Sequence, residues 1–348
     1  MFRLLALLSL LLSFSLHAEE IIRNYKVPLF YPSMDKIAAN FEVVRKLNDG
    51  YEVYVLEEKA SEFLKLAPDA VLLEKDIHAH LKALKADKAS GFDKYRNYEQ
   101  VATLLKTWAS QYPQFVGLET YGQTAQGHTL YALRLGNPAK GKPELMISSA
   151  THGDELIGVE VLLNLIQELI EGQGKEQRLT KMVENHVIYF LPMASPDGFA
   201  NRVRYVNGKD PNRVFPWPGN PNAKPIDCIE SWMKFFDAHN FIGSMDIHAY
   251  GKLAMYPWGY TTEAPQTSDA KEMNELVQFM AQENNYEAGQ ISTTIYVAQG
   301  NSADYFYWKK KTRAIAVELT ESKIPDPKRI PAVVNEAREM IWRFIEHF

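Results

Sequence analysis

Six strand-length segments constrain this chain more than any other feature. They are Phe115 to Tyr121, Leu130 to Leu135, Leu145 to Ser149, Val187 to Met193, Phe241 to Ile247 and Ala314 to Leu319. Most are apolar nearly throughout. A strand with one wet face alternates, whereas a continuous apolar run is covered on both faces. Helical spacing appears between them. Val101, Leu104, Leu105 and Trp108 share one face, Ile157 to Ile170 forms a long apolar helix, and Val333, Ala337, Met340, Ile341, Phe344 and Phe348 line a last one. This pattern predicts an α/β fold with a mixed, largely parallel central sheet and helices on both faces.

Ahead of this domain, Tyr25 to Tyr31, Tyr51 to Leu56 and Ala70 to Leu73 read as strands, and Met34 to Leu47 and Lys59 to Leu66 as helices. They predict a small ferredoxin-like α/β unit. A charged stretch from Glu74 to Lys88 and the flexible Ala89-Ser90-Gly91 mark its end. At the start, Arg3, the apolar run Leu4 to Leu16 and Ala18 have the layout of a secretory signal peptide, and the run is short for a span of about 20 apolar residues. The expected organisation is therefore a signal peptide at 1–18, a small α/β unit with linker at 19–90, and the main domain at 91–348. The protein is expected to be exported, periplasmic or secreted after cleavage near Ala18, with no stable membrane anchor.

The net charge of −5 carries no basic footprint for nucleic acid. Cys228 is the one cysteine, so a metal site here must be built from histidine and carboxylate. Thr151-His152-Gly153-Asp154-Glu155 lies where a strand meets a helix, the usual place for a site in an open α/β sheet. His152 and Glu155 can face one ion, but His17 and Glu20 share their spacing at the signal junction, so spacing alone selects nothing. His248 ends another apolar strand, with Asp246 on the same face, and can supply a third ligand.

Further motifs follow in order. They are Tyr98-Glu99-Gln100-Val101, Gly122-Gln123-Thr124-Ala125-Gln126-Gly127, His152-Gly153-Asp154-Glu155, Ser195-Pro196-Asp197-Gly198, Asp210-Pro211-Asn212-Arg213, the run His248 to Tyr260, Ile295-Tyr296 with Gly300 and Asp304, and Val317-Glu318-Leu319. From about Tyr95 onward these resemble the zinc metallocarboxypeptidases of the carboxypeptidase A type. The first unit is similar in pattern to the prodomain ahead of many such enzymes, whether removed, inhibitory or permanent.

The resemblance implies one Zn2+ held by His152, Glu155 and His248, and a zinc-bound water activated by Glu318 as general base. It makes Asn212 and Arg213 the grip on a substrate's terminal carboxylate, Tyr296 a mobile closing residue, and Asp210 the aspartate that orients a histidine. It calls for an oxyanion arginine, for which Arg204 and Arg202 both qualify, with Arg204 favoured. Ala303 falls where side-chain preference is set and is small and uncharged. His128 stands where the family commonly has arginine. The substrate implied is a peptide or muropeptide with a free C-terminal carboxylate. Three alternatives stay open. One is a murein (cell-wall) peptide carboxypeptidase or amidase. Another is an N-acyl amino acid deacylase, since Asn212 to Pro216 also resembles the succinylglutamate desuccinylase and aspartoacylase branch. The third is a non-catalytic zinc-binding module.

Overall fold

The computed structural model describes residues 21–77, 79, 94–139 and 141–348. The expected signal peptide and most of the charged stretch with Ala89-Ser90-Gly91 lie outside the described residues.

The N-terminal unit runs β1 (Ile22–Pro28), a helix (Met34–Asn40), β2 (Glu42–Leu47), β3 (Gly50–Leu56), a helix (Ala60–Leu66) and β4 (Val71–Glu74). Its strands form an antiparallel sheet in the order β2-β3-β1-β4. The helix expected to reach Leu47 stops at Asn40. Phe41 is extended, and Val43 pairs opposite Val53. Branched side chains at Val43 and Val44 lose rotamer freedom in a helix and pack well on a pleated surface. The unit therefore has four strands where three were expected. The resulting β-α-β-β-α-β order is the ferredoxin-like arrangement.

The main domain is built on eight strands. These are β5 (Val116–Gln123), β6 (Thr129–Leu135), β7 (Glu144–Ser149), β8 (Val187–Leu191), β9 (Phe241–Ala249), β10 (Leu253–Tyr256), β11 (Glu287–Gln290) and β12 (Arg313–Leu319). Their order is β11-β10-β12-β9-β7-β8-β6-β5. The central strands β12, β9, β7 and β8 run parallel, while β10 and β6 join antiparallel on either side. The six expected strands are present within a residue or two. The short β10 and β11 are additional.

Burial on both faces explains the apolar runs. On β7, Leu145 and Ile147 pack with Leu162, Ile166 and Ile341, from the helices Leu156–Gly172 and Ile330–Glu346. Met146 points the other way, into a cluster with Trp232 and Phe306 from the helices Asp227–Ala238 and Ser302–Lys310. Among the described residues, no helix is long and apolar enough to cross a membrane.

The parallel register determines what meets at the sheet's carboxyl edge. Glu318 on β12 lies opposite His248 on β9, and Asp246 lies opposite Ser148 on β7. The Thr151 to Glu155 turn leaves the same edge.

Candidate metal centre and active site

Three side chains converge at that edge. His152 Nδ1 is 2.9 Å from Glu155 Oε1, and His248 Nδ1 is 2.9 Å from Glu155 Oε2. Their ligand atoms lie within 4.8 Å of one another, and all three residues are buried. The turn that carries the first pair is closely packed. A Cβ on Gly153 would stand 1.8 Å from the carbonyl carbon of Gly198, so two of the motifs touch backbone to backbone. Only glycine allows that approach.

Each histidine is fixed from behind. His152 Nε2 is 2.9 Å from Asp210 Oδ1, and His248 Nε2 is 3.0 Å from Asp246 Oδ2. A carboxylate on the outer nitrogen keeps the proton there and leaves the Nδ1 lone pair facing inward, which suits a metal ligand. Asp246 is satisfied further by Ser148, Thr151 and Ser302. The residues present fit a zinc ion: two imidazole nitrogens and one carboxylate leave a coordination position open. Beside them, Glu318 Oε2 is buried with no hydrogen-bond partner. Burial pushes the Glu318 carboxyl up to about 7, and the charge of Glu155 adds to the shift.

The remaining expected residues line the same cavity, which contains Arg204, Asn212, Arg213, Tyr296 and Ala303. Asp210 caps the turn Pro211–Arg213 by accepting from Asn212 N at 2.7 Å, which ties Asn212 and Arg213 to the His152 anchor. Arg213 Nη2 donates to the Tyr296 phenol at 2.8 Å. Gly300, at φ 71°, holds the Tyr296 loop against the backbone of Arg213, where a Cβ would meet the Arg213 carbonyl oxygen at 2.6 Å. The two candidate arginines separate: Arg204 Nη1 lies 3.3 Å from Glu155, whereas Arg202 sends its guanidinium to the Tyr95 carbonyl at 3.1 Å. His128 is held by Asp197 at 2.7 Å and does not line this cavity.

Sequence reasoning did not single out four residues that matter here. Asp246 was visible in the Asp-x-His alternation but was given no task. Asp154 and Lys323 form a pair at 2.8 Å beside the cavity. Glu42, from β2, reaches Arg204 and the Tyr205 phenol. Burial pushes the Glu42 carboxyl up to about 7 against the pull of Arg204. Val44, two residues further along the strand, is one wall of the cavity, whose volume is about 50 Å³. That volume holds a few waters but no peptide.

Comparison with known proteins fits this geometry. A family model for zinc carboxypeptidases matches residues 101–340. Carboxypeptidase M from Mus musculus is 25% identical over 292 residues, covering 73% of this chain and 65% of that protein. Carboxypeptidase A4 from Mus musculus is 25% identical over 281 residues, covering 70% of this chain and 66% of that protein. The chain thus spans just under two thirds of the length of these relatives. The crystal structure of carboxypeptidase A from Helicoverpa armigera superposes with a TM-score of 0.75 at 20% identity, over 94% of this chain and 97% of that one. Thrombin-activatable fibrinolysis inhibitor gives 0.70 at 15% identity, over 94% and 98%. At such identities the structures share the fold.

The Asp246–His248 contact yields a direct test. Asp246→Asn should weaken zinc binding about 10–100-fold in a competition titration while circular dichroism stays unchanged. An unaltered zinc affinity would remove Asp246 from the site.

Proposed function

Because the chain belongs to the zinc carboxypeptidase family, we propose that it is a zinc-dependent carboxypeptidase that hydrolyses the last amide bond of a peptide bearing a free terminal carboxylate. One observation carries this reading. A buried carboxylate with an unpartnered oxygen, Glu318, shares a cavity with the His152–Glu155–His248 set and with Arg204, Asn212 and Arg213.

His152, Glu155 and His248 would hold the ion. When bound, it supplies a Lewis acid that polarises the scissile carbonyl and acidifies water. Glu318 then takes the proton of the attacking water and returns it to the leaving amine. Arg204 stabilises the charge that develops on the carbonyl oxygen. Arg213 presents a planar fork to the terminal carboxylate, with Asn212 and the Tyr296 phenol beside it. Asp210 keeps His152, Arg204 and the Asn212 turn in register. Met255, Ile291, Ile295, Ala298, Ala303 and Ala316 form an apolar wall of the cavity, which suits an apolar terminal side chain. Peptides and muropeptides with a free terminal carboxylate both meet these requirements. A zinc-binding module without catalysis has no need of Glu318.

The N-terminal unit acts as a lock in this reading. Glu42 takes the guanidinium that the substrate needs, Val44 narrows the cavity, and Tyr296 packs on the unit's own core. The apolar run ahead of Ala18 supports export of the locked form.

Four measurements follow. Glu318→Gln should lower kcat/KM about 10²–10⁴-fold. Amidating the substrate's terminus should cost about a hundredfold, because it leaves Arg213 unmatched. Equal rates on free and amidated ends would end the exopeptidase reading. The general base works ionised, so kcat/KM should fall as pH drops through its pKa. A bound cation stabilises the ionised form, so the midpoint should lie below the metal-free value of about 7. A kcat/KM that does not fall toward acid pH would exclude Glu318 as the base. Finally, Glu42→Gln in the full chain should raise turnover at least about tenfold, since removing one partner of a buried ion pair costs about 3–5 kcal/mol. Unchanged turnover would show that the unit is not a lock.

A further inference from the structure

Lys323 is a half-buried cation lining the catalytic cavity that the mechanism above leaves unused. It lies just beyond β12, and its side chain is 16% exposed. Asp154, within the His152 to Glu155 turn, accepts from its ammonium at 2.8 Å. Among the described residues Asp154 is its one hydrogen-bond acceptor, although an ammonium carries three donors. The outer face of the ammonium meets the ring of Tyr54, from the N-terminal unit, at 5.4 Å.

The position of Lys323 along the cleft gives this charge a direction. Arg213 and Tyr296 line both the catalytic cavity and a neighbouring one of about 390 Å³. Tyr250 and Lys323 line the catalytic cavity and a different neighbour, of about 290 Å³. The centre therefore opens two ways. With the substrate's terminal carboxylate at Arg213, the chain upstream of the scissile bond leaves past Tyr250 and Lys323. In the closed state the N-terminal unit already sets an acceptor there, because Glu52 accepts from the Tyr250 phenol at 2.8 Å. Two donors thus stand at this exit, and the lock covers both, one with a carboxylate and one with an aromatic ring.

We propose that Lys323 is a specificity-determining residue that reads a carboxylate on the residue immediately upstream of the one removed. The claim rests on the carboxypeptidase reading for the direction of the substrate. Asp154 anchors the lysine from the enzyme side and leaves its remaining donors to the substrate. The carboxylate can be the side chain of an α-linked glutamate or the free α-carboxylate of a γ-linked one.

The test uses four peptides ending in Phe, identical except upstream of it, where they carry Glu, γ-linked Glu, Gln or Lys. Their binding to the zinc-loaded full chain with Glu42→Gln and Glu318→Gln is measured by calorimetry, and their turnover is measured on Glu42→Gln alone. One or both of the Glu peptides should bind at least about tenfold more tightly than Gln, with Lys weakest. Which of the two prevails assigns the linkage. Lys323→Met should bring the Glu-to-Gln ratio to about one, and Lys323→Arg should retain it. Should Lys323→Met misfold by stranding Asp154, the paired Asp154→Asn, Lys323→Met variant removes both charges and should give the same loss. Equal affinities for Glu and Gln, or a ratio that survives the loss of Lys323, would overturn the inference. An absence of turnover with the affinity order intact would instead overturn the proposed activity.

Discussion

The site depends on how its two histidines are held. An imidazole can offer either nitrogen, and a buried one left free would settle on whatever hydrogen bond it found. Here Asp210 and Asp246 each occupy an outer nitrogen, so both inner lone pairs are directed toward Glu155. The two aspartates are themselves costly to bury. Asp210 is nonetheless held well below the usual carboxylate range, because Arg204 and His152 outweigh the penalty of burial. Asp246 is satisfied by Ser148 and Thr151, from β7 and the turn that follows it, and by Ser302, from a distant helix. The candidate metal site therefore extends well beyond the three side chains that would hold the ion. It couples strands β7 and β9, the turn at Asp210 and the start of the helix Ser302–Lys310.

Much of this was legible in the chain because it is encoded locally. The strands carry their own pattern, since burial on both faces demands apolar residues at every position. Asp246 and His248 are two apart on one strand, so their shared face follows from the pleat. Asp210 and Arg213 lie within a single turn. The choice between Arg202 and Arg204 was different, because two arginines two residues apart in a loop carry no periodicity to separate them. In the fold, Arg202 takes a left-handed conformation at the end of the helix Pro196–Asn201 and turns toward Tyr95, while Arg204 enters the cavity.

What escaped the sequence is long-range or short. The spacing of Ile37, Phe41, Val44 and Leu47 imitates a helix, and the pairing of Val43 with Val53 decides for a strand. At four residues each, β10 and β11 are too brief to show a period, and β11 lies at the sheet edge, where little apolar burial is required. Glu42 meets Arg204 across 162 positions, and Lys323 meets Asp154 across 169. No local rule reports a contact between side chains so far apart. Only the fold brings them together.

Those distant contacts share one chemistry. In the proposed reading the cleft is a receptor for carboxylates: Arg213 with Asn212, Arg204, and Lys323 with Tyr250 are donors set around a centre that itself holds Glu155 and Glu318. Such a surface is poorly stable when it is both buried and empty, because unmatched cationic groups are costly away from water. The N-terminal unit answers that cost with its own acidic residues, Glu42 at Arg204 and Glu52 at Tyr250. In the proposed reading a substrate bearing carboxylates displaces it by offering the same groups. On the proposed activity the closed form and the substrate complex are alternative solutions to one electrostatic problem, because Arg204 and Tyr250, proposed to meet substrate, are the donors that now hold Glu42 and Glu52.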